Sequence, residues 1–153
     1  MIEDVSPAAV EILENLLSLM GIVGRVEILP CEDALSLNVE GDDLSILIGC
    51  QGRTLAALEY IVRLILVGQA DARLRVIVDV AGYRKKRQDS LKGMALRMAT
   101  QVKLKHRPIS LLPMSPSERR VVHLALADDS DIVTLSEGEG EDRRVVISPR
   151  QDG

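Results

Sequence analysis

Two periods organise the apolar positions of this chain. Val10, Leu13, Leu16, Leu17 and Met20 recur at helical spacing, with Ser6 as the expected N-cap, Pro7 at the first helical position and Gly21 as the stop. Val26 and Ile28 then alternate with Arg25 and Glu27. After a turn from Pro30 to Asp33, Leu35, Leu37 and Val39 alternate with Ser36, Asn38 and Glu40. This period of two predicts two strands, the second half-buried with its apolar face inward. Gly41-Asp42-Asp43 supplies a turn and a cap for a short helix from Leu44 to Ile48. Leu55, Leu58, Ile61, Val62 and Ile65 mark one face of a helix expected from about Arg53 to Val67, and Gly68 stops it. Leu74, Val76, Val78 and Val80 alternate with Arg75, Ile77 and Asp79, a third strand closed by Gly82. The order helix, strand, strand, helix, helix, strand predicts a small mixed sheet with helices on one face.

A second unit is expected from residue 83 to residue 153. A long helix runs from Tyr83 to about Lys105, with Leu91, Met94, Ala95, Met98 and Val102 on its buried side, and Pro108 prevents its continuation. Ile109 to Leu112 is a short extended piece. Ser115-Pro116-Ser117-Glu118 spells a capping box with Pro at the first helical position. Asp128 to Asp131 is a polar break. Ile132 to Leu135 and Val145 to Ile147 read as strands joined by a hairpin loop at Gly138-Glu139-Gly140. The fold class is α+β, with domains at residues 1–82 and 83–153.

Composition changes the picture in one respect and charge in another. The 153 residues are 46% hydrophobic and 27% charged, ordinary for a globular protein, but Phe and Trp are absent and only two Tyr are present. The core is therefore aliphatic, and a nucleic-acid site built on aromatic stacking platforms is excluded. Net charge is −4, yet residues 1–83 carry 5 Lys/Arg against 13 Asp/Glu, residues 84–120 carry 11 against 2, and residues 121–153 carry 3 against 8. A basic block between acidic flanks is the electrostatic footprint of a nucleic-acid binder, or of a solvated charge-rich helix. The first residues lack a basic region ahead of an apolar run, and no stretch approaches the roughly 20 apolar residues of a membrane span, so neither signal peptide nor membrane insertion is expected. Cys31 and Cys50 fit no metal or redox spacing, which suits a reducing, cytoplasmic location.

Candidate chemistry concentrates at Ile48-Gly49-Cys50-Gln51-Gly52-Arg53, where an apolar run meets a Gly-x-x-Gly turn and a helix starts at once. The first N–H groups of a helix lack intrahelical partners and carry the positive end of its dipole, so the turn suits a phosphate. Glycine at both ends allows a sharp turn and leaves no Cβ between backbone and ligand. A Gly-x-x-Gly clamp is how a KH domain holds single-stranded nucleic acid, although a plain helix–helix turn has the same pattern. Arg119 and His123 lie one helical turn apart on one face and suit a phosphate together with a base or ribose. Taken alone, a surface Arg and a core-edge His are the commoner reading. Arg84, Lys85, Lys86 and Arg87 place cations at a helix start, against the dipole, which a solvated surface tolerates and a phosphate contact would exploit. Glu137, Glu139, Glu141 and Asp142 lack the ligand pattern of a calcium loop. No catalytic triad, metal motif or Walker loop is present, so neither an enzyme nor a cofactor is expected.

The segment from Ile48 to Tyr60 resembles the KH motif of the bacterial Jag family, also called KhpB. Val80-Ala81-Gly82-Tyr83-Arg84-Lys85-Lys86-Arg87-Gln88-Asp89-Ser90-Leu91 resembles that family's junction into its second domain. Leu112 to His123 resembles its R-3-H domain, named for an Arg and a His separated by three residues, here Arg119 and His123. Ser136 to Gly140 and Arg143 to Ile147 continue the match. The resemblance implies a type II KH domain followed by an R-3-H domain with helices packed on a small sheet. It also implies a cytoplasmic RNA-binding protein, post-transcriptional regulation connected with cell elongation or division, and a KH-only protein as partner. Family members often carry basic residues where this chain has Cys50 and Gln51, and many carry an N-terminal Jag domain that is not expected here.

The expectation is a sequence-tolerant single-strand RNA binder with two sites. Gly49, Cys50, Gln51, Gly52 and Arg53 would hold a nucleotide backbone, and Arg119 and His123, assisted by Arg84, Lys85, Lys86 and Arg87, would supply the electrostatic share. Neutralising about four phosphates gives a log–log salt slope of roughly −3. Single-stranded DNA is the related alternative. The competing expectation is an adaptor with little RNA affinity that pairs with a KH-only partner, or with itself, through a sheet edge or helix face.

Overall fold

The computed structural model describes residues 2–69 and 74–151. The chain divides into two compact units, Met1–Arg84 and Lys85–Gly153. In the first, α1 (Ile2–Leu19), β1 (Arg25–Leu29), β2 (Leu35–Glu40), α2 (Ser45–Ile48), α3 (Arg53–Gln69) and β3 (Val76–Val80) follow the predicted order. The sheet order is β1-β2-β3, with β1 antiparallel to β2 and β2 parallel to β3. Because β2 and β3 run parallel, α2 and α3 form the crossover between them. Leu37, Val39, Val78 and Val80 are wholly buried, as are Ala9 and Leu13 of α1 and Val62 of α3. They form one aliphatic core between the sheet and its two long helices.

Four local expectations are corrected, one of them the stop at Gly68, which α3 passes to end at Gln69. The first helix starts at Ile2, so Pro7 lies inside it and Ser6 is not its N-cap. Pro7 has no N–H to donate back along the helix; placed near the start, it costs the helix a single bond. The residue at the start of α2 is Leu44, without a side-chain cap, because Asp43 takes a left-handed φ of 51° and receives the Ser45 hydroxyl instead. On α3 the buried residues are Leu55, Leu58, Val62 and Leu66, whereas Ile61 is exposed. The helix repeat carries the buried stripe to Leu66 and turns Ile61 out.

The second unit contains most of α4 (Tyr83–Lys105), then β4 (Ile109–Ser110), α5 (Pro116–Ala125), β5 (Ile132–Glu137) and β6 (Arg144–Pro149). Its sheet is antiparallel in the order β4-β6-β5, and Glu137 pairs with Arg144 where the hairpin closes. Leu91, Ala95, Ala99 and Val102 of α4 join Val122 of α5 and Val145 and Ile147 of β6 in a second core. Two separate apolar cores account for the division into two units.

Candidate nucleic-acid interface

Leu47 is wholly buried and anchors α2, and the turn begins two residues later. Gly49 (φ 70°, ψ −170°) breaks the helix, its N–H donating to the Ser45 carbonyl at 3.1 Å. Cys50–Gly52 form one 3-10 turn in which Gln51 sits at φ 54°, ψ 28°, and Gly52 has φ 78°. The Arg53 N–H then donates to the Cys50 carbonyl as α3 begins. A Cβ on Gly49 would overlap the Thr54 hydroxyl, and one on Gly52 would lie 2.9 Å from Tyr83 Cε1. Both glycines are thus required by the packing of the loop as well as by its backbone angles. Cys50, Gln51 and Arg53 are exposed. Between its glycines the loop presents the uncharged side chains of Cys50 and Gln51, followed by Arg53 at the start of a 17-residue helix.

Next to this loop, the outer edge of β3 is closed by side chains. The Val78 N–H donates to Glu59 Oε2 at 2.9 Å, and its carbonyl accepts from Arg84 Nε at 3.0 Å and Nη2 at 2.9 Å. Arg84 and Glu59 also pair directly at 2.5 Å. Together they satisfy the donor and acceptor that an edge strand otherwise leaves open. Asp79 Oδ1 accepts from the backbone N–H groups of Val80 and Arg84. Arg84, expected to contribute to phosphate contact, is therefore committed to the first unit's sheet.

In the second unit the capping box forms as read. Ser115 Oγ accepts from the Glu118 N–H at 3.3 Å, and Glu118 Oε2 accepts from the Ser115 N–H at 3.1 Å. The other Glu118 oxygen accepts from Arg87 Nε at 2.8 Å. Lys103, further along the basic block, pairs with Asp129 at 2.6 Å, which raises the lysine pKa and lowers that of the aspartate. Lys85 and Lys86 are exposed on α4.

Arg119 and His123 come together on one face of α5, and the two side chains are held differently. Arg119 Nη1 donates to the Met114 carbonyl at 2.9 Å, a neutral acceptor that leaves the arginine charge to act on its surroundings. His123 Nδ1 lies 2.7 Å from the Thr134 hydroxyl and Nε2 2.9 Å from the Ser136 hydroxyl, so both ring nitrogens are engaged with β5. Burial, and then the Arg119 charge, push the His123 pKa below its ordinary value. The shift favours the neutral ring, in which one nitrogen donates and the other accepts. Sequence reasoning missed Thr134 and Ser136, whose only signal was their period-two placement on one strand face. It also missed Glu59 and Tyr83. Among the described residues, no group of three metal-ligating side chains converges, and no helix is long and apolar enough to cross a membrane.

A profile of the KH domain of KhpA/KhpB matches residues 8–80, and a profile of the R-3-H domain matches residues 89–149. The RNA-binding protein KhpB of Clostridium symbiosum is 38% identical over 152 residues, 98% of this chain and 68% of that protein. The RNA-binding protein KhpB of Bacillus subtilis is 38% identical over 116 residues, 74% of this chain and 56% of that protein. The protein of the same name from Lactiplantibacillus plantarum is 32% identical over 116 residues, 76% of this chain and 36% of that protein. The matched regions run in the same order as the two structural units, and the chain belongs to the KhpB family, with a KH domain followed by an R-3-H domain.

Proposed function

We propose that this chain binds single-stranded RNA through the Gly49–Arg53 loop. The observation that carries this is the loop itself: a Gly-x-x-Gly turn with left-handed backbone at Gly49, Gln51 and Gly52, opening directly into α3. The backbone of about four nucleotides would lie against Gly49, Cys50, Gln51, Gly52 and Arg53, with bases on the neighbouring aliphatic surface. Exposed Ile46 belongs to that surface. Support comes from the KhpB relatives, which are named as RNA-binding proteins.

Arg119 supplies a phosphate contact in the R-3-H half, and His123 fixes α5 on β5 beneath it. Lys85 and Lys86 add to the field. Arg84 and Arg87 are each paired with a carboxylate. In the cell this activity fits a cytoplasmic post-transcriptional regulator connected with elongation or division. Single-stranded DNA is the control polymer, since only contacts to the 2′-OH separate the two.

The test is binding of a short labelled oligouridylate to wild type and to Cys50→Asp/Gln51→Asp. Both positions are exposed, and Asp tolerates the left-handed conformation at residue 51. The variant therefore adds two negative charges at the phosphate position while sparing the fold. It should bind at least about tenfold more weakly. Gly49→Asp/Gly52→Asp is a poorer probe, because it also collides with Thr54 and Tyr83.

One observation favours a second reading, an adaptor that pairs with a KH-only protein or with itself. Tyr60, Ile61, Leu64 and Val67 of α3 are between 43% and 53% exposed, an apolar stripe on a helix whose other side is core. Sedimentation of the chain alone and with a KH-only protein, with Leu64→Asp as control, tests that reading independently of the loop.

A further inference from the structure

Tyr83 is one of two aromatic residues in the chain, and it sits at the loop. A Cβ on Gly52 would lie 2.9 Å from Tyr83 Cε1, 3.5 Å from its hydroxyl oxygen and 3.6 Å from Cζ, so the ring edge lies directly against the second glycine. Its position follows from the end of β3. Ala81 (φ 48°) and Gly82 (φ 67°) are consecutive left-handed residues that turn the chain from the strand into α4. On the other side of Tyr83, Arg84 is fixed by its bonds to the Val78 carbonyl and Glu59 and by its N–H to Asp79. Tyr83 is thus fixed between a strained turn and a clasped arginine, and it is half-buried against the first unit's core.

We propose that Tyr83 is a positioning residue for the RNA-binding loop, its ring supporting Gly52 and keeping Gln51 and Gly52 in the left-handed conformation that phosphate capture uses. The inference rests on the RNA-binding reading of the loop. A loop already held in its bound shape loses less entropy on binding, so removing the ring weakens affinity without removing a charge. The salt dependence, which counts neutralised phosphates, stays as it was.

The experiment uses the full chain with Tyr83→Ala, Tyr83→Leu and Tyr83→Phe. Each variant is measured for binding to labelled oligouridylate at two salt concentrations and for backbone 15N order parameters at Cys50, Gln51 and Gly52. Tyr83→Ala and Tyr83→Leu should bind about tenfold more weakly with an unchanged salt slope, and Tyr83→Phe should stay within about twofold of wild type. The order parameters of the three loop residues should fall in the Ala and Leu variants and not in Phe. Loop order unchanged in folded Tyr83→Ala or Tyr83→Leu would overturn the proposal, and Tyr83→Leu decides it if Tyr83→Ala does not fold. Failure of wild type to bind oligouridylate would instead sink the RNA-binding reading, and the order parameters would still decide whether Tyr83 holds the loop.

Discussion

Gly49 and Gly52 combine positive φ values with neighbours that leave no room for a Cβ, Thr54 at one and Tyr83 at the other. Gly49→Ala should therefore cost about 1–3 kcal/mol in urea unfolding, whereas the exposed pair Cys50→Asp/Gln51→Asp should stay within about 0.5 kcal/mol of wild type. The glycine spacing was legible because a sharp turn needs it. Tyr83 as the reason at Gly52 was not, since that contact joins residues far apart in sequence. His123 behaves similarly. Its spacing from Arg119 was visible, but the hydroxyls of Thr134 and Ser136 reach it only through the packing of α5 on β5. Because its folded-state pKa is depressed, the unfolded chain takes up the proton first as pH falls. The associated stability is complete above about pH 6.5 and is lost as pH falls through the lower folded value. The melting temperature of the second unit should fall as pH drops below about 6.5, and His123→Gln should flatten that part of the profile.

Among the elements, β3 shows what sequence patterns leave out. Its alternation of Val and polar residues identified it as a strand, yet nothing in that alternation says that Glu59 and Arg84 close its outer edge. Glu59→Ala leaves the Val78 N–H without its carboxylate partner and should destabilise the first unit by about 1–3 kcal/mol, measured by chemical denaturation. The same closure explains why the basic run opening α4 was only partly readable. The run is a plain sequence feature, but pairing of Arg84 with Glu59 and Arg87 with Glu118 depends on tertiary packing. Local signals did better where all the partners are local. The capping box of α5 involves only Ser115 and Glu118, and it formed as read. Ser115→Ala should cost about 1 kcal/mol.

For the whole molecule, two aliphatic cores imply two separable responses to core damage. Leu37→Ala in the first and Leu126→Ala in the second should each cost about 2–5 kcal/mol, and calorimetry should show each variant lowering a different part of the unfolding profile. Both cores were foreseeable from periodicity, because alternation and helical spacing report burial directly. The division of cations between carboxylates and carbonyls was not, and it reshapes the electrostatic expectation. With Arg84 and Arg87 each engaged by a carboxylate, the log–log salt slope should be shallower than the roughly −3 that four phosphate contacts would give. The most direct measurement is oligouridylate binding across a salt series by wild type beside Cys50→Asp/Gln51→Asp. Salt-sensitive binding by wild type, weakened at least about tenfold in the folded loop variant, is the predicted result. Equal binding by the two proteins, or none by folded wild type, would contradict an RNA site at the Gly49–Arg53 loop.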